Sequence, residues 1–298
     1  MSYKYIRTFG TSYTEGGGFH YWVNKRIKIL YNKLRPMVDN SMFEFSWPSF
    51  LQKKVTPKVI NHARSGHGND RIFREVYKVV ESDEFNPSEN LFLFELSALG
   101  RDEFYSKEIG EWGVLNYKMD WNNHSPTREG FGMGFNYFNQ IHLGSDWIDK
   151  HLPMFETLVM ETIDADVHLQ TMIRKLKMFF CYCDAANLNW YIVADETMFV
   201  ARPELRKWIH RFLGDKDYKG IFESAGETIT DETGGHFADG HFGMHANQTI
   251  GLYVAKRLNE YGEVGKLLEY DVLDKDDIKK TILENSKNLK VKYEKDLI

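Results

Sequence analysis

The chain is poor in cysteine, has no long apolar run and carries no strong excess of charge of either sign. Its two cysteines, Cys181 and Cys183, stand in "FFCYCDAA" with one residue between them. That spacing suits neither a disulfide nor, without other ligands, a zinc site. Both thiols are expected to be reduced and structural. No apolar stretch is long enough to span a bilayer. The opening "MSYKYIRTFG" has no apolar h-region, so no signal peptide is expected and the protein is expected in the cytoplasm at synthesis. The formal net charge of −5 gives no global electrostatic reason to bind nucleic acid or an anionic membrane. Internal repeats, low-complexity tracts and linkers are also missing.

What is present is an ordinary globular composition with many aromatics: 298 residues, 42% hydrophobic, 27% charged and 15% aromatic. That length can bury a sizeable core. "YIRTFG" (5–10), "KVINHA" (58–63), "NLFLFELS" (90–97) and "NWYIVAD" (189–195) read as strands, the third buried on both faces. Helical spacing marks 20–34, 46–54, 71–82 and 249–262, and 154–187 reads as one long helix or a pair. Alternation of strand and helix predicts a parallel sheet covered on both sides. Residues 100–152 show no clear period and read as an insertion within a domain spanning 1–265. Their aromatics suit stacking on sugar rings, an interface or a satellite core. Residues 266–298 form a charge-dense tail, expected to be helical. Arg101, Asp102 and Glu103 are expected to pair in a surface salt-bridge cluster.

Three stretches fall at predicted strand ends, where an open parallel sheet gathers its functional groups: "GTSYTEGGG", "RSGHGND" and "SALGRDE". Ser12 lies in the first turn, a place for a nucleophile beside backbone N–H groups or for a simple cap. Gly66 and Gly68 follow the second strand and suit an oxyanion donor or a turn. "GGHFADGHFGMHAN" (234–247) then supplies three histidines and an aspartate. A serine hydroxyl needs an imidazole to take its proton and a carboxylate to orient that imidazole; Asp239 and His241 can fill those roles. His236, Asp239, His241 and His245 are also metal-ligand types, so a metal-dependent hydrolase is an alternative, although the spacing matches no known zinc pattern.

In order and spacing, "TFGTSYTEG", "SWPSFLQKKVTPKVINHARSGHGNDRIFREV" and "DGHFGMHANQTIGLYVAKRL" together resemble the SGNH (GDSL-like) hydrolase superfamily. The resemblance implies a three-layer α/β/α sandwich of flavodoxin-like type with a roughly five-stranded parallel sheet. It places Ser12 on the nucleophile, Gly66 on the oxyanion glycine, and Asp239 and His241 on the triad acid and base. It implies an esterase that needs no cofactor and removes a short acyl group, such as acetyl, from a carbohydrate or other small ester. Tyr13 and Arg101 are the expected substrate-binding residues.

The sequence also departs from the family pattern. Thr11 stands where an Asp precedes the serine, Phe242 where Pro is common, and "FELSALGRDEF" lacks the third-block Asn that donates to the oxyanion. Loss of one such donor costs about a hundredfold in rate, so Asn69 or Ser97 is expected to substitute. The "WP…N…SG…GND" arrangement is similar to bacteriophage variants, which implies association with a virion. A binding or structural protein that has kept the scaffold is the second alternative.

Overall fold

Four apolar segments pair side by side as parallel strands: β1 (Tyr5–Phe9), β2 (Lys58–Asn61), β3 (Asn90–Glu95) and β8 (Asn189–Ala194). The computed structural model describes residues 3–15, 46–64, 67–97, 101–108, 110–116, 118–120, 125–127, 145–194, 203–214 and 244–274, with residues 277, 280 and 284. The strand order is β2-β1-β3-β8. A fifth place beside β8 is held by one parallel bridge, Ile192 to Phe212, with the Leu213 N–H on the Ile192 carbonyl at 3.0 Å. Among the described residues the sheet therefore has four full strands and this bridge, in keeping with the roughly five-stranded sheet expected. The chain at the fifth place leaves a 3₁₀ helix, Pro203–Arg211, and pairs only briefly.

The two faces of β3 explain the layering. Every residue of β3 is buried. Leu91 and Leu93 pack with Trp47 and Leu51 of α2 (Trp47–Gln52) and with Ile250 and Val254 of α6 (Met244–Glu260). Phe92 and Phe94 pack with Ile72 and Val76 of α3 (Asn69–Val80) and with Leu176 and Phe179 of α5 (Ala165–Ala185). Side chains alternate across a strand, so an unbroken apolar run serves both layers. Each buried Leu or Phe contributes about 1.5–3 kcal/mol. This is the three-layer α/β/α architecture that the alternation predicts.

The chain from 154 to 187 resolves into a pair. α4 (Ser145–Thr162) stops, and α5 starts where the Asp164 carboxylate accepts the Val167 N–H at 2.9 Å. A side-chain cap of this kind satisfies a helix-end donor, which favours a fresh start over continuation. Between β3 and α4, β4 (Arg101–Ser106) and β5 (Glu111–Asn116) form an antiparallel hairpin, and β6 (Lys118–Asp120) pairs with β7 (Ser125–Thr127). Leu115 of that first hairpin packs with Phe155 and Val159 of α4 in a satellite core. Among the described residues, no helix is long and apolar enough to cross a membrane. Cys181 is exposed and Cys183 buried on α5, and both are free.

Two members of the Arg101, Asp102 and Glu103 group have partners on other elements. β4 alternates its side chains, so Asp102 faces His168 at 3.5 Å while Glu103 is buried against His67 and Arg74.

Candidate active site

One buried carboxylate organises the carboxyl edge of the sheet. β3 ends in Glu95, 2% exposed. Its Oε2 accepts the N–H of Thr11 at 3.0 Å and of Thr14 at 2.9 Å, and its Oε1 accepts the Thr11 hydroxyl at 2.5 Å. Burial pushes its pKa up, and the hydrogen bonds from Thr11 and Thr14 offset part of that rise. Gly10 makes the approach possible, because a Cβ there would lie 2.5 Å from Glu95 Oε2. The turn between β1 and α1 (Ser12–Glu15) is thereby clamped to the end of β3. The backbone of Ser12 and Tyr13 lies in this turn; their side chains fall outside the described residues. The chain leaves β1 for β2 on one side and reaches β3 on the other, so this is the switch point where open α/β sheets bind ligands.

Two more segments are tied to the same turn. The Arg64 N–H donates to the Gly10 carbonyl at 3.1 Å. Two positions further along each segment come Gly66 and Ser12. Gly66 lies outside the described residues. Thr14 Oγ1 accepts the Trp47 indole N–H at 3.1 Å, and the Trp47 backbone N–H donates to Asn247 Oδ1 at 3.1 Å. Asn247 lies in the first turn of α6, six residues after His241. This relay ties the helix that follows Asp239 and His241 in the chain to the turn that carries Ser12. His236, Asp239 and His241 lie outside the described residues, as does the His245 side chain.

Asn69 and Ser97, the two expected substitutes for the oxyanion Asn, bind each other. Asn69 Oδ1 accepts the Ser97 N–H at 2.7 Å, and Asn69 Nδ2 donates to the Ser97 carbonyl at 3.1 Å. The Ser97 hydroxyl donates to the His67 carbonyl at 3.0 Å. Arg101 Nη1 donates to that carbonyl and to Ser97 Oγ, each at 3.3 Å. In this arrangement the Ser97 proton is already used, while Asn69 keeps one amide hydrogen.

The chain is similar to a solved structure described as a protein of the G-D-S-L family from Desulfitobacterium hafniense DCB-2. The identity is 10%, covering 86% of this chain and 99% of that one, with a TM-score of 0.40. No family model matches the sequence, and no curated protein matches it.

Sequence reasoning gave no role in the site to His67, Arg74, Glu95 or Glu103. His67 Nδ1 lies 3.0 Å from Glu103 Oε1, and Glu103 also binds Arg74. Burial holds the His67 pKa below its ordinary value. For Glu103, burial acts upward but is outweighed by the hydrogen bond from His67 and the charge of Arg74, and its pKa falls. Burial favours the neutral imidazole of His67, and the Glu103 carboxylate favours the tautomer that carries Nδ1–H. Glu95 did leave a signal: it is the one charged residue in "NLFLFELS". Among the described residues no group of three or more metal-ligand types converges.

Proposed function

We propose that the protein is a serine ester hydrolase of SGNH type. Ser12 attacks the ester carbonyl. His241 takes the serine proton, passes it to the leaving alcohol, and then activates water; Asp239 orients His241. The N–H groups of Ser12 and Gly66 hold the developing oxyanion, with the remaining amide hydrogen of Asn69 as a third donor. The observation that supports this reading most is the relay Thr14–Trp47–Asn247, which ties the helix that follows Asp239 and His241 in the chain to the turn carrying Ser12. The substrate class we favour is a short acyl group, such as acetyl, on a carbohydrate. Phosphonate labelling and p-nitrophenyl acetate hydrolysis are expected in the wild type and lost in Ser12→Ala, with no effect of EDTA. Turnover that survives Ser12→Ala and stops with EDTA would instead assign the chemistry to a metal on the histidine loop.

A second reading has one observation in its favour. The Ser97 hydroxyl is spent on the His67 carbonyl, so it does not replace the missing oxyanion Asn. A scaffold that binds its ligand without cleaving it, for instance on a phage particle, would label in neither protein.

A further inference from the structure

A cleft of about 200 Å³ opens beside the loop between β2 and α3. Arg71, Arg74, Glu75 and Lys78 of α3 line it, with His67 of the loop and Trp112 of β5. It is tied to the turn that carries Ser12. Arg64, also at the cleft, holds the Gly10 carbonyl with its backbone N–H at 3.1 Å, and Arg71 feels the charge of Glu15 in α1. His67 directly follows Gly66, the proposed oxyanion donor.

The wall of the cleft is one connected chain of side chains. His67 Nδ1 meets Glu103 Oε1 at 3.0 Å, and the Gly68 N–H donates to the same oxygen at 3.2 Å. Glu103 also pairs with Arg74, whose guanidinium lies 3.9 Å over the Trp112 ring. Tyr105, the cross-strand partner of Trp112, meets that ring edge-on at 5.6 Å. His67 is only 9% exposed, yet its Nε2 meets no hydrogen-bond partner among the described residues. Nε2 is not sealed from solvent, and the cleft that His67 lines is its opening. With Nδ1–H turned to Glu103, Nε2 is an acceptor.

An acceptor in these surroundings selects its ligand. Arg74 and Lys78 are matched by Glu103 and Glu75, and a lone pair repels the oxygens of an anion. Burial, and with it the charge of Arg71, disfavours a proton on His67, and the same charge disfavours a cationic donor. A neutral hydroxyl satisfies the nitrogen. Trp112, 38% exposed at the same wall, offers apolar surface to the C–H groups of a ring.

We infer that this cleft holds the alcohol half of a neutral sugar ester, with a pyranose hydroxyl donating to His67 Nε2 and the ring lying against Trp112. The role as a substrate subsite rests on the esterase reading; the pyranose site itself does not. Saturation-transfer NMR on the full chain tests the site, with methyl α-D-glucopyranoside and methyl α-D-galactopyranoside as probes. At least one is expected to give a signal, lost in His67→Phe and in Trp112→Ala. Melting curves establish that each variant is folded, and the more exposed Trp112 carries the test if His67→Phe does not fold. No signal from either pyranoside in wild type, or an undiminished signal in the folded variants, would overturn the site. The catalytic arm compares kcat/KM for the 6-O-acetyl ester of the pyranoside that binds with that for cyclohexylmethyl acetate, which has a ring and no hydroxyl. A preference of about tenfold for the sugar ester, carried by KM and falling toward one in the variants, is expected. Variants that slow both esters alike and keep the ratio would give these residues a structural role and overturn the inference. Pyranoside binding without hydrolysis of either ester would sink the esterase reading and leave the site standing. Hydrolysis of both esters at equal rates would sink the subsite and leave the esterase.

Discussion

Glu95 couples two residues of the β1–α1 turn to the end of a strand 84 positions away. Glu95→Ala would strand the Thr11 and Thr14 amides in a buried site, at about 1–3 kcal/mol for each lost partner. Glu95→Gln keeps an oxygen for both amides, and its NH₂ can donate to the Thr11 hydroxyl once that hydroxyl turns to accept. We expect the Ala variant to melt well below wild type and the Gln variant close to it. The pH response separates them further. Because the folded-state pKa is raised above 4.5, the folded wild type holds a proton that the unfolded chain has released; its stability falls as pH rises through that window. Melting curves from pH 4 upward should show that fall in wild type and not in Glu95→Gln.

His62 works in the opposite direction. Burial, then the charge of Arg7, lowers its pKa from 6.5 to about 4, and its ring stacks on Phe9 at 4.7 Å. Between those values the unfolded chain binds the proton more readily. The contribution is complete above pH 6.5 and is lost as pH falls toward 4, with an upper limit of about 3 kcal/mol. Replacing His62 with Gln should flatten the acid limb of the stability curve measured by urea unfolding at several pH values.

At the scale of elements, close packing of α6 on α2 holds the relay from Asn247 through Trp47 to Thr14. Gly251 permits that packing. A Cβ there would lie 2.6 Å from the Trp47 carbonyl and 2.7 Å from Phe50 Cβ. Gly251→Ala is expected to cost about 1–3 kcal/mol by forcing the helices apart. On the esterase reading, kcat should fall as well, since small displacements of catalytic groups are costly. A variant that loses melting temperature but keeps full turnover would show that the relay does not position the site. The same helices were legible beforehand. The period of apolar residues at 249–262 marks α6, although it begins at Met244, because the first turn is set by the Trp47–Asn247 contact rather than by its own pattern.

For the whole molecule, burial follows the strand order. β3 lies inside the sheet with both faces covered, whereas β2 is an edge strand among the described residues. Amide exchange should therefore be slowest for Leu91–Phe94 and faster for Val59–Ile60, as measured by NMR. Equal protection would mean that β2 is covered in solution.

The sequence by itself determined the alternation of strands and helices, the two-sided burial of β3 and the place of Ser12 at a strand end. These follow from side-chain periodicity, which is local and readable along the chain. Only the tertiary structure decided that Glu95 clamps the Ser12 turn, that Asn69 and Ser97 bind each other, and that His67 and Arg74 both meet Glu103. Hydrogen bonding, desolvation and charge balance depend on partners far apart in sequence, and those partners meet only once the sheet has brought its strand ends to one edge.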